Sequence, residues 1–112
     1  DKSKILGTPH YGTDLANHKY NSTYYATSNG NFDTKYYVFS LIWEEDKITW
    51  LVNDIEYKTF TPIDTGGQPY PFNDEFYLLI NLSVGGNLPV APVQSQYPAF
   101  LVIDYIRVFQ MN

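Results

Sequence analysis

The chain has 112 residues, of which 44% are hydrophobic and 18% aromatic, with a formal net charge of −5 and no cysteine. This composition excludes a disordered segment and allows one ordinary domain or a piece of one. Without a lysine and arginine cluster, a nucleic-acid partner is not expected, and without cysteine there are no disulfides or thiolates. No apolar run reaches the roughly 18–20 residues that span a bilayer, so no membrane partner is expected.

The residue pattern predicts an all-β fold. Aromatic and β-branched residues dominate, and Gly, Pro, Asn and Asp recur about every ten residues, which is typical of short strands joined by turns. Two short strands are predicted first, at residues 4–8 and 22–27. A meander of three antiparallel strands follows, at residues 36–43, 48–52 and 55–60.

Two proline-rich loops lead to two further predicted strands. The loop at 62–71 precedes an apolar strand at 76–84, and the loop at 87–98 precedes a last strand at 100–109. Asn81 is the amide within the first of these strands. A buried amide must be hydrogen-bonded or presented to a ligand, because leaving it unpaired costs about 1–3 kcal/mol. Asn81 is therefore the first candidate site residue.

Four sequence blocks, in order and over nearly the whole chain, resemble the C-terminal half of family-16 glycoside hydrolases, the laminarinase and lichenase group of β-glucanases. The resemblance implies an antiparallel β-sandwich, a concanavalin-like jelly roll that is incomplete here, with a sugar-binding cleft across its concave face. It also implies retaining hydrolysis of internal β-1,3 or β-1,4 bonds and a secreted, periplasmic or cell-surface location. The blocks are residues 6–12 (LGTPHYG), 37–54 (YVFSLIWEEDKITWLVND), 76–87 (FYLLINLSVGGN) and 103–110 (IDYIRVFQ).

The catalytic pattern that the resemblance implies is absent from the chain. The family carries two carboxyls on one strand as Glu-x-Asp-x-x-Glu, and retention requires them roughly 5–5.5 Å apart. The nearest approach, Glu44-x-Asp46-x-x-Thr49, lacks the last carboxylate and falls in a predicted turn. We therefore expect a single domain or C-terminal portion that supplies cleft wall and sugar subsites, is inactive alone, and would follow a catalytic strand placed before Asp1. The alternative is a non-catalytic β-sandwich that binds glycans.

The resemblance implies substrate-binding roles for Asn81, His10, Trp43 and Asn87. Each of the first three also has an ordinary structural interpretation. The Asn81 amide would bond a neighbouring strand or turn, the His10 imidazole would be solvated or capped, and the Trp43 indole would pack in the core or on a sheet face. After Asn87 the family usually has Trp, and Leu88 in its place removes a stacking platform for a sugar ring.

Asp104 matches a family position that helps to hold a structural calcium ion. Calcium takes about six to eight oxygen ligands, so one aspartate makes a poor site without partners. The alternative for Asp104 is a solvated carboxylate opposite Arg107. Beyond this calcium, no cofactor is expected to be required.

The expected partners are a β-glucan or another polysaccharide and further protein. Half a jelly roll would present unpaired strand edges and an uncovered apolar face. We therefore expect a homo-oligomer, or association with a missing N-terminal half.

Overall fold

The computed structural model of the chain describes residues 2–85, 91, 93–94 and 97–110. The chain divides into two compact units, Asp1–Phe76 and Tyr77–Asn112. All strands assigned to the described residues lie in the first unit, and every pairing among them is antiparallel, so the all-β prediction is confirmed. None of the helices formed by the described residues has the length and apolar character needed to cross a membrane.

Seven strands of the described residues form three small sheets, in which β1 pairs with β4, β2 pairs with β3, and β5, β6 and β7 lie side by side. The short strands predicted at 4–8 and 22–27 are confirmed and pair with each other as β1 and β4. Two short 3-10 helices, Pro62–Thr65 and Pro71–Asn73, follow the last strand. The strands are β1 Lys4–Gly7, β2 His10–Tyr11, β3 Lys19–Tyr20, β4 Thr23–Ala26, β5 Phe39–Glu44, β6 Lys47–Val52 and β7 Ile55–Phe60.

The predicted meander is confirmed as β5, β6 and β7, although its first strand begins at Phe39 and not at residue 36. Asn53 and Asp54, which join β6 to β7, both have positive φ (47° and 65°). A two-residue type I′ hairpin turn requires positive φ at both central positions, and Asn and Asp tolerate this conformation well. The polar turn residues thus fix the register of β6 and β7 next to the turn, and the register shifts farther along, between Trp50 and Leu51.

The described core of the first unit is small. Ile48, Val52 and Phe60 are the hydrophobic side chains buried there, on β6 and β7. The Tyr11 ring lies 5.2 Å from the Phe60 ring, which packs the β2–β3 hairpin against β7. The Phe72 ring meets Phe60 edge to face at 6.0 Å and so holds the second 3-10 helix on the same sheet.

The strands predicted at 76–84 and 100–109 are wrong for this structure, because no strand is assigned to residues 76–85 or 97–110. A strand ladder needs a hydrogen-bonded neighbour, and no described segment pairs with either one. Their apolar side chains are consequently exposed, as for Leu79 (75%) and Val108 (89%). Asn81 is exposed as well, so the expectation that it lies in a buried strand is also wrong.

Candidate functional site

An open pocket of about 360 Å³ lies where the β5–β6 turn meets the second 3-10 helix. The turn follows from the sequence, since Asp46 adopts a positive φ of 57° and closes the chain between the paired Glu44 and Lys47. The 3-10 helix begins at Pro71, whose fixed φ suits the first helical position. The lining residues are Trp43, Glu44, Glu45, Phe72 and Asn73.

Trp43, a predicted sugar-binding residue, is both packed and half-exposed. Its indole Nε1 donates a hydrogen bond to the Phe72 carbonyl oxygen over 2.5 Å. Its ring meets the Phe76 ring edge to face, with centroids 5.9 Å apart. These two contacts hold the ring in place. Because 47% of the residue remains exposed, part of the ring surface stays available to a ligand.

The acidic residues of the turn are bound mainly to neighbouring protein groups. Lys47 Nζ donates to Glu44 Oε2 over 2.6 Å, and this contact raises the pKa of the Lys47 ammonium. Asn73 Nδ2 donates to Asp46 Oδ1 over 2.7 Å, while the Asp46 backbone N–H donates to Asn73 Oδ1 over 2.9 Å. These contacts fix the turn against the 3-10 helix. The Glu45 carboxylate lines the pocket without a partner among the described residues.

The pocket combines part of an aromatic ring with carboxylate and amide groups. Sites for small polar ligands typically pair an aromatic or apolar surface with a few placed hydrogen-bonding groups. An indole can pack against the C–H face of a sugar ring, and carboxylates accept hydrogen bonds from its hydroxyls. The pocket therefore offers the kinds of group that sugar-binding sites use.

His10, a second predicted sugar-binding residue, is paired with another histidine. His10 Nδ1 and His18 Nε2 are hydrogen-bonded at 2.7 Å, and the two ring centroids lie 4.9 Å apart. The Tyr20 ring lies beside both imidazoles, at 6.1 and 6.2 Å. Partial burial, and secondarily the neighbouring His18, lowers the pKa of the His10 imidazole.

The sequence predicts His10 as a candidate but not its partner His18. One signal was present: residues 18 and 20 lie two apart, so in a strand they share a face. This spacing predicts a contact with His10 only when the register of the hairpin is known. In the structure His10 pairs with Tyr20, which brings His18 to the same face. With two residues in each strand, the hairpin is too short for this register to be read from the sequence.

The turn of this hairpin is held by Asp14. Its Oδ1 accepts hydrogen bonds from the backbone N–H groups of Ala16 (2.8 Å) and Asn17 (2.9 Å). Gly12 has φ +128°, and a Cβ added there would stand 2.4 Å from the Asn17 carbonyl oxygen. Glycine is therefore required for this close approach of the two chain segments.

The remaining predicted site residues belong to the second unit. Asn81 and Asp104 are both exposed, and Asn87 lies outside the described residues. The Arg107 guanidinium lies over the Tyr105 ring, 4.4 Å from its centroid. Within the described part of the chain, no three His, Asp or Glu side chains come together in a group that could hold a metal ion. The described acidic side chains therefore do not by themselves fit a calcium ion at Asp104.

Comparison with known proteins assigns the family. The model of glycosyl hydrolases family 16 matches residues 4–105. The chain is 34% identical to "Glucan endo-1,3-beta-glucosidase A1" of Niallia circulans, over 95% of this chain and 17% of that protein. It is 31% identical to "Glucan endo-1,3-beta-glucosidase" of Cryptopygus antarcticus, over 97% of this chain and 45% of that protein.

A third relative is not named as a glucosidase. The chain is 30% identical to "Clotting factor G alpha subunit" of Tachypleus tridentatus, over 98% of this chain and 16% of that protein. The chain thus spans less than half the length of each of these three relatives. No solved structure gives a significant match.

Proposed function

Because the chain belongs to glycosyl hydrolases family 16, we propose that it is the C-terminal portion of a β-glucan-active domain, which binds glucan but does not cleave it alone. The observation that carries the proposal is the pocket at the β5–β6 turn. It offers a half-exposed indole and polar groups, and one of its two lining carboxylates, Glu44, is ion-paired with Lys47. Two relatives that are named as glucan endo-1,3-beta-glucosidases support the substrate class.

Sugar binding is assigned to Trp43 together with Glu45 and Asn73. The indole would pack on one pyranose face, and the Glu45 carboxylate would accept hydrogen bonds from the hydroxyls of that ring. Since Phe72 and Phe76 hold the indole, little side-chain freedom is lost when the sugar binds.

The proposal that the chain does not cleave glucan alone is supported by the absence of the Glu-x-Asp-x-x-Glu pattern from its sequence. A retaining glycosidase needs one carboxyl as nucleophile and a second, protonated one as acid, roughly 5–5.5 Å apart. Glu44 is ion-paired with Lys47, and Asp46 accepts a hydrogen bond from Asn73. Glu45 is then the lining carboxylate without a protein partner among the described residues, which supports a role in binding sugar hydroxyls and not in a two-carboxyl mechanism.

The test measures binding and cleavage on the same chain. Titration with laminarin and lichenan oligosaccharides should show binding, and a reducing-end assay should show no release. Trp43→Ala should weaken binding by about 2- to 10-fold, because aromatic packing contributes about 0.5–1.5 kcal/mol beyond its area. The matched control is Tyr36→Ala, an exposed aromatic outside β5 and outside the pocket, which should leave binding unchanged.

Two results would contradict this proposal. Release of reducing ends that is lost in Glu45→Gln would show that the turn carries a catalytic carboxyl. Equal affinities of the native chain and Trp43→Ala would show that the pocket is not the binding site. Selective binding that stays without cleavage after the missing half is added would favour a non-catalytic glycan-binding sandwich.

We also propose that the chain assembles with a second copy through β5. This strand pairs only with β6 among the described residues, and its apolar side chains are exposed, with Phe39 at 58% and Leu41 at 53%. An unpaired edge with exposed apolar side chains favours pairing with another strand. Light scattering at micromolar concentration should give the mass of a dimer or a larger assembly. A monomeric mass, or a complex formed only with a separately expressed N-terminal half, would contradict self-assembly.

Two expectations from the family resemblance stay predictions. A location outside the cytoplasm suits a protein that meets polysaccharides, and fractionation of cells that express the full gene would test it. A structural calcium at Asp104 would need oxygen ligands beyond the described acidic side chains. Calcium-dependent thermal stability that is lost in Asp104→Asn would support that site.

A further inference from the structure

We propose that His10 and His18 form a two-histidine site for a divalent late transition metal ion, with Cu(II) as the ion of choice. The site lies on one face of the β2–β3 hairpin. It is separate from the pocket at Trp43 and does not depend on glucan binding.

The two imidazoles already meet at one point. His10 stands opposite Tyr20 in the ladder, and His18 lies two residues before Tyr20, so it is the diagonal neighbour of His10 on the same face. As a result His10 Nδ1 and His18 Nε2 are only 2.7 Å apart. Both residues are exposed, so a hydrated ion can reach the two nitrogens from solvent.

The ligand type favours copper, and the spacing of the two nitrogens allows both to bind one ion. Imidazole nitrogen suits Zn, Cu and Ni, and Cu(II) prefers a tetragonal arrangement of ligands. With metal–nitrogen bonds of about 2.0 Å, two cis ligands of a square plane stand about 2.8 Å apart, and two ligands of a tetrahedron about 3.3 Å. The present separation of 2.7 Å is within about 0.6 Å of both values, so a small rotation of the exposed rings reaches either one, and Cu(II) is favoured because it binds such ligands most strongly among the divalent first-row metals.

Binding requires a small rearrangement of protons and rings. The two nitrogens now share one hydrogen bond, so one of them carries a proton. That proton would move to the outer nitrogen of the same ring, which leaves two neutral imidazoles with lone pairs for the ion and no net proton release. The exposed rings would turn so that both lone pairs point at the ion, and water would complete the coordination.

The hairpin around the pair is held in place before any ion binds. Asp14 fixes the turn by accepting hydrogen bonds from Ala16 and Asn17. At the open end, the Asn21 backbone N–H donates to the Pro9 carbonyl oxygen over 3.2 Å. Tyr11 packs on Phe60 from the opposite face. Because the backbone is already ordered, binding costs less conformational entropy than it would on a flexible loop.

The experiment uses the full chain and Cu(II)–iminodiacetate, a chelate that leaves two cis positions of the square plane for imidazole. The chain has two histidines in total, so every imidazole signal comes from this pair. Calorimetry should give one chelate per chain, and the electron paramagnetic resonance spectrum should show coupling to two imidazole nitrogens. His10→Asn and His18→Asn should each weaken binding by more than about 10-fold, which corresponds to about 1.4 kcal/mol. Tyr20→Phe, the matched control on the same face, should change affinity less than about 2-fold, or about 0.4 kcal/mol.

The result that overturns the proposal is a native chain whose affinity equals that of the single-histidine variants. A spectrum with one imidazole nitrogen on the native chain would overturn it as well. The spectrum is recorded on the unmutated protein, so it decides the matter even if a histidine substitution disturbs the hairpin.

Discussion

Lys58 is a buried cation whose hydrogen-bond acceptors are neutral side chains, and this arrangement predicts how substitutions change the stability of the fold. The residue is only 7% exposed, on β7. Its Nζ donates to Asn21 Oδ1 over 2.7 Å and to Thr23 Oγ1 over 3.1 Å, and lies 5.8 Å from the centroid of the Trp50 ring. Burial lowers the pKa of the Lys58 ammonium, an effect that the charge of Asp64 partly opposes.

Removing a hydrogen-bond acceptor of the Lys58 ammonium should lower the free energy of unfolding more than removing the ammonium itself. A hydrogen bond to a charged group contributes about 1.5–3 kcal/mol, and Asn21→Ala leaves the buried ammonium with one fewer acceptor. We therefore expect Asn21→Ala to lower the free energy of unfolding by about 2 kcal/mol at pH 7. Lys58→Met keeps the volume and abolishes the charge, so its effect should lie within about 1 kcal/mol of zero or be stabilising.

A double-mutant cycle measured by urea denaturation isolates this interaction. In the Lys58→Met background, Asn21→Ala should cost less than about 0.5 kcal/mol, because no cation remains to be satisfied. Raising the pH gives an independent check. The pKa is lower in the folded state, so the unfolded chain holds the proton more tightly and stability should rise as the pH increases from that lowered value to 10.5. A coupling energy below about 0.5 kcal/mol, with no difference in pH slope between native and Lys58→Met chains, would refute the reasoning.

Three further predictions concern single residues of the first unit. His10 should titrate below 6.5 by NMR, so stability should fall as the pH drops from 6.5 through its folded-state pKa, and His18→Asn should raise that pKa. Tyr70→Phe should leave the stability to thermal unfolding unchanged or raise it by about 1 kcal/mol. The reason is that the Tyr70 hydroxyl is buried without a hydrogen-bond partner among the described residues. A loss of stability greater than about 1 kcal/mol would mean that the hydroxyl has a partner. Gly12→Ala should lower the free energy of unfolding by about 1–3 kcal/mol, because φ is +128° and the new Cβ would meet the Asn17 carbonyl oxygen. The NMR chemical shifts of the backbone amides in the β2–β3 hairpin should change. Unchanged shifts would contradict the assigned turn.

Local chemistry explains the parts of the fold that the sequence predicts well. The β5–β6–β7 meander is readable because its turns carry Asp46, Asn53 and Asp54, residues that tolerate the positive φ that these turns have. The pairing of β1 with β4 is less local, and only the existence of both strands was predicted. Trp43 had two interpretations from sequence, and the structure shows why, since its ring is packed and half-exposed at once.

The His10–His18 pair could not be predicted by the same reasoning. The contact depends on the register of a hairpin with two residues in each strand, and that register depends on Asp14 and Gly12 in the turn. His10 lies in the sequence block at residues 6–12 that resembles the family, but His18 lies in none of the four blocks. The partners of Lys58 are also hidden from sequence, because Asn21 and Thr23 are more than thirty residues away along the chain.

The failed strand predictions at 76–84 and 100–109 lead to a last prediction. The apolar residues of both segments favour strands, but a strand is stable only when a neighbour accepts and donates its backbone hydrogen bonds. In the single chain these segments have no ladder among the described residues and expose their apolar side chains. If assembly supplies the neighbours, backbone amides at 76–84 and 100–109 should exchange with deuterium more slowly at high protein concentration than at low concentration. The amides of β6, already paired on both sides, serve as the internal control and should not change. Equal exchange at both concentrations, in a sample that light scattering shows to be assembled, would mean that these segments are not strands in the assembly either.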